Sequence, residues 1–186
     1  MQEGLALKLL ELLSIKNTQT KNEVCTVLSN LVSDNQPLLD IYIESGIISK
    51  LLYIIRAETK EVFYLVPFYL SRFQLMKEAC LIMCKASRIA TTDQIKKLYQ
   101  LKVLENMCDV LTDRDPLVVV RALDTIHEFL NHGENLLNED GENYFILELD
   151  SLGGIEKIER LQDFPSELVT RKVVCILKKF FEVEEY

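Results

Sequence analysis

Apolar residues recur along this chain with the three- and four-residue spacing that places side chains on one face of an α-helix. Four stretches show this spacing in the same phase, at residues 4–13, 46–55, 102–111 and 153–162. Each is followed by a second helical stretch with apolar positions at i, i+3, i+4 and i+7, at residues 24–31, 79–86, 119–126 and 169–180. The sequence has no strand-type alternation of convincing length. The pattern therefore predicts an all-α chain built from repeated helix pairs.

Short polar segments rich in turn-forming residues separate the predicted helices. They lie at residues 17–20, 33–37, 112–116 and 131–133. Asn, Asp, Ser, Gly and Pro favour turns and helix starts, because their side chains or backbone geometry replace helical hydrogen bonds. Pro116 directly follows Asp115, and a proline in the first turn of a helix loses no hydrogen bond. We therefore expect a helix to begin at Pro116.

Equivalent positions of the four units, residues 4, 46, 102 and 153, are 42, 56 and 51 residues apart. Helical repeats of ~40–47 residues are typical of armadillo proteins, so the two longer steps indicate insertions. Helices that cannot bury an apolar face alone must stack on their neighbours. We expect one armadillo-repeat α-solenoid, a right-handed superhelix without separate domains. Its predicted repeats are 4–35, 36–90 with an insertion at 57–76, 91–133 and 134–186.

Two segments do not follow the repeat. Residues 57–76 combine five aromatic side chains with Pro67 and several charges. This segment either folds back on its own repeat or forms an exposed aromatic contact patch. Residues 134–143 are acidic and polar, which predicts a solvated loop.

The overall charge limits the classes of partner. The chain carries a formal net charge of −8, so its average field repels nucleic acid and anionic membranes and attracts basic partners. No apolar run reaches the ~18 residues that a membrane-spanning helix requires. We expect neither nucleic acid nor membrane as a partner.

Five cysteines lie mostly in apolar helical stretches. An odd, scattered set argues against a disulfide framework and favours buried free thiols. Cys80 and Cys84 share a helix face, but a zinc site needs four ligands with tight local spacing. No metal or cofactor is expected.

A catalytic constellation is missing from the sequence. His127 and His132 resemble a zinc-protease helix, but that site requires histidines four residues apart on one face. At five residues apart they point roughly 140° away from each other around a helix. The sequence also has no Gly-rich phosphate loop and no nucleophile elbow. We therefore expect a binding protein and not an enzyme.

Two of the second helices carry an outward stripe opposite the face that the core would bury. Its members follow the offsets i, i+3 and i+7, which lie on one side of a helix. They are Glu23, Thr26 and Asn30 in one helix, and Glu78, Leu81 and Lys85 in the other.

These two helices resemble the groove helices of importin-α, the nuclear-import adaptor, which read Lys-Glu-Ala-Cys-Trp-x-x-Ser-Asn. Residues 22–30 read Asn-Glu-Val-Cys-Thr-Val-Leu-Ser-Asn, and residues 77–85 read Lys-Glu-Ala-Cys-Leu-Ile-Met-Cys-Lys. Residues 123–134 are similar to the family's ninth repeat, and residues 154–162 to its tenth. The resemblance covers essentially the whole chain outside 57–76, and it implies the seventh to tenth armadillo repeats.

The resemblance implies a peptide-binding groove formed by Glu23, Thr26, Ser29, Asn30, Glu78, Leu81 and Lys85. In the family, asparagine holds the main chain of an extended peptide, tryptophan stacks on lysine or arginine stems, and carboxylates take the charged ends. Here Thr26 and Leu81 replace tryptophan, and Lys85 replaces asparagine. The chain has no tryptophan at all, and Lys85 would repel a basic peptide. The groove is therefore expected to be weak or redirected to another ligand; the alternative is a solvated polar face.

The partners implied by the resemblance are basic localisation-signal peptides, the receptor that re-exports importin-α and a nuclear-basket nucleoporin. Importin-β would bind only a segment that these 186 residues do not contain. The implied role is a nuclear-import adaptor of cytoplasm and nucleus. The alternative is an armadillo scaffold that no longer binds localisation signals and contacts partners through residues 57–76 or its convex face.

The first predicted helix carries Leu5, Leu9, Leu12 and Leu13 on one face. In a solenoid, a terminal repeat without a polar cap exposes such a face. We expect concentration-dependent self-association there.

Overall fold

The computed structural model describes residues 2–33, 35–60, 66–139 and 141–181. Within these ranges the chain forms eleven α-helices and no strand, apart from one isolated bridge between Leu137 and Asn143. The helices are α1 (Gln2–Ser14), α2 (Thr18–Val32), α3 (Gln36–Glu44), α4 (Ile47–Lys60), α5 (Val66–Ile89), α6 (Thr92–Gln100), α7 (Val103–Val110), α8 (Pro116–Gly133), α9 (Tyr144–Ser151), α10 (Gly154–Arg160) and α11 (Glu167–Phe180). A 3-10 turn, Leu161–Asp163, follows α10. The predicted all-α class is confirmed.

The eight helices predicted from the apolar pattern are all present. They are α1, α2, α4, α5, α7, α8, α10 and α11. The start of α8 at Pro116 is also confirmed, since the Asp115 carboxylate accepts hydrogen bonds from the backbone N–H groups of Leu117 (2.9 Å) and Val118 (3.2 Å).

Three short helices, α3, α6 and α9, were not predicted from the sequence. Each has only eight or nine residues; α7 and α10 are as short, but their apolar positions repeat the phase of α1 and α4. Each of the three begins after a capping side chain that also favours turns, namely Asn35, Thr91 and Asn143. Thr91 and Gln94 form a reciprocal capping box. Asn35 and Asn143 lie in segments whose polar composition predicts a turn or a loop.

A left-handed residue connects each of these short helices to the next helix. Gly46, Lys102 and Gly153 have φ values of 85°, 69° and 63°, and they lead into α4, α7 and α10. These are three of the four positions that the apolar pattern marks as equivalent. A shared backbone conformation at the same place in successive units supports the repeat register.

Two compact units make up the chain, Met1–Val103 and Leu104–Tyr186. In the first, α2 packs along α5, α4 also packs against α5, and α3 contacts α4 and α6. Its fully buried side chains include Leu28, Leu39, Leu51 and Ile82. The Tyr42 hydroxyl donates to the Leu28 carbonyl at 3.2 Å, which ties α3 to α2. The division into four repeats stays a prediction.

The second unit is organised around α8, which packs against α9 and α11. The buried rings of Phe129 and Phe145 meet edge to face, with centroids 5.2 Å apart. The Asn143 side chain donates to the Leu130 carbonyl at 2.9 Å and accepts from the Phe145 N–H at 3.0 Å. Residues 134–143, predicted to be a merely solvated loop, thus have a structural role, because Asn143 fastens the end of α8 to the start of α9.

The apolar face of α1 is partly used within the first unit. Leu9 and Leu13 are buried, whereas Leu5 and Leu7 are 52% and 56% exposed. Self-association through this helix stays a prediction, and Leu5 and Leu7 are the side chains available for it. The side chains of 58–73, which include the aromatic residues of the 57–76 segment, lie outside the described residues, so both alternatives for that segment stay predictions.

Candidate functional site

The predicted stripe residues lie on two helices that pack against each other, α2 and α5. We call the surface formed by the seven predicted groove residues the α2–α5 face. Glu23, Thr26 and Asn30 are exposed on α2, and Ser29 is buried beside them. Glu78, Leu81 and Lys85 are half-buried on α5. The resemblance grouped these seven residues, and the structure places them on two helices that are neighbours.

Lys85 makes the direct connection across this face. Its ammonium donates to the Ser29 hydroxyl at 2.8 Å and to the Ser29 carbonyl at 3.1 Å. Ser29 is 2% exposed, so the lysine reaches from α5 onto a buried polar group of α2. Sequence reasoning identified both residues but not this contact. Where the resemblance predicts an asparagine amide, the face carries the positive charge of Lys85.

On each helix the acidic residue precedes the other members of the face, Glu23 on α2 and Glu78 on α5. Glu78 accepts a hydrogen bond from the Gln74 amide at 2.8 Å, and Glu23 accepts one from the Gln19 amide at 3.3 Å. Burial raises the pKa of the Cys25 thiol to about 12, and the nearby Glu78 carboxylate acts in the same direction. Glu78 of α5 thus lies near Cys25 of α2, and further along both helices Lys85 contacts Ser29. The two helices therefore run in the same direction along this face.

Two members of the face use their polar atoms differently. The Thr26 hydroxyl donates to the Asn22 carbonyl of its own helix at 3.1 Å, so this side chain offers a ligand little beyond a methyl group and a bonded hydroxyl. Asn30 is exposed on the same stripe, and its amide has a donor and an acceptor to offer a peptide group.

A similar arrangement, which sequence reasoning missed, joins α8 and α11 in the second unit. The Lys172 ammonium and the Asp124 carboxylate pair at 2.6 Å, with both side chains less than a quarter exposed. Lys179 donates to the Asn131 side-chain oxygen. The signal in the sequence was an opposite-charge pair of stripes, with acidic and amide residues on α8 and lysines on α11. As on the α2–α5 face, a lysine of the later helix engages polar groups of the earlier one.

This hydrogen bond also defines the state of His127. Because Lys179 can only donate, the Asn131 oxygen is the acceptor and its nitrogen faces His127 Nδ1 at 3.2 Å. Nδ1 must then accept, which requires a neutral ring. Burial, with Lys172 nearby, lowers the pKa of His127, and burial lowers the pKa of His132.

The free energy of unfolding is expected to fall in mild acid, because folding disfavours the charged form of both histidines. Both histidines have pKa values below the ordinary 6.5 in the folded chain, so the unfolded chain binds more protons and the free energy of unfolding declines as pH drops below about 6.5. Urea unfolding at pH 7.5 and 5.5 measures the decline. Replacing both residues (H127Q and H132Q) should flatten it, and an unchanged slope in that variant would contradict the assignment.

The cysteines offer little reactive chemistry. Cys25, Cys80, Cys84 and Cys108 are buried and Cys175 is exposed, all as free thiols. Burial raises the pKa of Cys108 to about 12, as it does for Cys25. In the part of the chain that the structure describes, no three His, Cys, Asp or Glu side chains are grouped to hold a metal, and no helix is long and apolar enough to cross a membrane.

Comparison by sequence identifies importin-α proteins as relatives. Importin subunit alpha-1 of Caenorhabditis elegans is 25% identical over 159 residues, which are 86% of this chain and 28% of that protein. Importin subunit alpha-8 of Mus musculus is 34% identical over 103 residues, 54% of this chain and 20% of that protein. The chain thus spans less than a third of the length of these curated relatives. No protein-family model matches the chain.

Solved structures with the same fold are armadillo repeat proteins. A designed one superposes with a TM-score of 0.71 at 20% identity and covers 94% of this chain and 64% of its own. A second, in complex with the peptide (KR)4, has a TM-score of 0.59 at 20% identity and covers 95% of this chain and 82% of its own. The chain has the fold of an armadillo-repeat α-solenoid, and its sequence is similar to importin-α over much of its length.

Proposed function

We propose that this chain acts as a nuclear-import adaptor of the importin-α type and that its α2–α5 face binds an extended polypeptide. The observation that carries the proposal is the α2–α5 face itself. There, Asn30 and the carboxylates of Glu23 and Glu78 stand at accessible positions of packed helices. Similarity to importin-α relatives supports the cellular role.

Asn30 is the residue proposed to hold the main chain of the ligand. An amide side chain matches a peptide group, since it can donate to the carbonyl and accept from the N–H at once. Glu23 and Glu78 are proposed to attract basic side chains, in agreement with the net charge of −8. Binding is expected to be weak, because the chain has no tryptophan and each lost cation–π contact removes about 0.5–2 kcal/mol.

A second candidate is a scaffold that does not bind localisation signals. The contact of Lys85 with Ser29 favours it, because the ammonium places positive charge where a basic peptide would lie. Other partners would then contact the chain elsewhere.

Fluorescence-anisotropy titration with a dye-labelled, lysine-rich localisation-signal peptide separates the two candidates. We expect salt-sensitive binding on the order of tens of micromolar. Replacing Asn30 and Glu78 together by alanine should weaken it at least about fivefold, because a main-chain hydrogen bond and an ionic contact are both lost. A matched control is Glu159→Ala, which removes an exposed carboxylate from α10 in the other unit.

Failure of the unaltered chain to bind this peptide would overturn the binding of localisation signals and leave the second candidate. Equal effects of the control and the double variant would overturn the placement of the groove. The re-export receptor and the nuclear-basket nucleoporin are further proposed partners, which a pull-down with each purified protein tests. Both cytoplasm and nucleus are the proposed locations.

A further inference from the structure

We infer that the ligand of the α2–α5 face is an extended peptide with both charges: a basic side chain that meets Glu23 and Glu78, and an acidic side chain that meets Lys85. This inference rests on the proposed function, because it assumes that a polypeptide lies on this face. It adds the charge pattern of that polypeptide, which distinguishes it from a purely basic localisation signal.

Lys85 is the residue whose positive charge lacks an acidic partner among the described residues. Its half-buried ammonium has three N–H donors, of which two are used by the hydroxyl and carbonyl oxygens of Ser29. Both acceptors are neutral. In the described part of the chain no carboxylate lies within ion-pair distance of this ammonium, so its charge is partly removed from water without a counter-ion, which is costly.

Three other half-buried lysines that reach from one helix to another show the contrast. Lys97 pairs with Asp40 at 2.8 Å, Lys172 with Asp124 at 2.6 Å and Lys157 with Asp109 at 3.6 Å. Each of these lysines has its carboxylate within the chain. The counter-ion of Lys85 is therefore assigned to a ligand, which would use the remaining N–H.

The other end of the face has the opposite requirement. The carboxylates of Glu78 and Glu23 accept hydrogen bonds from neutral glutamine amides, and these bonds leave their negative charge in place. The face thus has a negative end and a positive end. A ligand with only basic side chains complements one end and is repelled at the other.

The spacing of the two charges follows from helix geometry. Glu78 and Lys85 are seven residues apart, which puts them on nearly the same side of α5 and roughly 10 Å apart along its axis. An extended peptide advances about 3.3 Å per residue. Every second side chain of an extended peptide points to the same side, so the basic and acidic side chains of the ligand are two or four residues apart, about 7 or 13 Å.

Titration of the full chain with a family of dye-labelled peptides tests this pattern. The mixed peptides carry lysine and glutamate two or four residues apart, in both orders. Matched peptides replace the glutamate by glutamine or lysine, or place it next to the lysine. We expect one order of the mixed peptides to bind about tenfold tighter than the all-basic peptide, the effect of one charge-assisted hydrogen bond and one relieved repulsion.

A variant of Lys85 tests whether this residue causes the preference for glutamate. Lys85→Met keeps an unbranched side chain and removes the charge, so the glutamate and glutamine peptides should bind this variant equally. The matched control, Lys96→Met, removes an exposed lysine of α6 and should keep the preference. The comparison of glutamate with glutamine peptides on the unaltered chain still decides the question if the Lys85 variant does not fold.

The outcomes separate this inference from the proposed function. Equal or tighter binding of the all-basic peptide would overturn the inference and leave peptide binding intact. Absence of binding by every peptide would overturn both. A glutamate preference that persists in the Lys85 variant would overturn the role of Lys85.

Discussion

Replacing Phe129 by alanine is expected to lower the free energy of unfolding of the second unit by about 3–5 kcal/mol. The ring is fully buried in α8 and meets Phe145 of α9 edge to face at 5.2 Å. Its removal loses the transfer free energy of the ring and the contact with Phe145. It also weakens the packing of α8 against α9, which share no other aromatic pair among the described residues. Chemical denaturation followed by circular dichroism measures the change.

Leu147 provides the matched control. It is an apolar residue of α9 that is 43% exposed, and its replacement by alanine should cost less than about 1 kcal/mol. If the two variants lose similar stability, the second unit does not have the core that the structure assigns to it.

A Gly133→Ala variant is the second change with a large expected effect. Gly133 ends α8, where alanine normally stabilises a helix by about 0.5–1 kcal/mol. A Cβ at this position, however, would lie 1.8 Å from the Asn143 side-chain oxygen. Asn143 would have to move and lose its bonds to the Leu130 carbonyl and the Phe145 N–H. We expect a net loss of about 1–3 kcal/mol, measured by the same denaturation experiment.

Two further variants test the cause. In an Asn143→Ala background the overlap is gone, so adding Gly133→Ala should be neutral or stabilising. Gly4→Ala in α1 serves as the helical control, because nothing lies within 4 Å of the added Cβ, and it should stabilise slightly. Additive losses from Gly133→Ala and Asn143→Ala would show that the contact with Asn143 is not the cause.

The long helices could be predicted from the sequence because each buries an apolar stripe over two or more turns. The short helices α7 and α10 could be predicted because they repeat the phase of α1 and α4, whereas α3, α6 and α9 could not, since they lack that repeat and begin at capping residues that also favour turns. Lys102 illustrates the limit at the turns. Its left-handed φ of 69° occupies the position where the equivalent units have glycine, and a lysine in the sequence gives no sign of that conformation.

For the candidate site, the resemblance to importin-α implied that Glu23 and Glu78 share one groove, and sequence spacing was enough to put each on the outward side of its own helix, because offsets along a helix determine the direction of side chains. It was not enough to find the bond between Lys85 and Ser29, which depends on how α2 and α5 pack. The fold class followed from periodicity, whereas the charge preference of the face depends on a contact between residues 56 positions apart.

Burial of the thiols has a practical consequence for all of these binding experiments. Of the five cysteines, all within the described residues, four are buried and only Cys175 is exposed. A maleimide dye is therefore expected to attach at α11 of the native chain and to leave α2 and α5 unmodified. Single-site labelling of the protein, without any cysteine substitution, would let peptide titrations be repeated with the fluorophore on the scaffold and the peptides unlabelled.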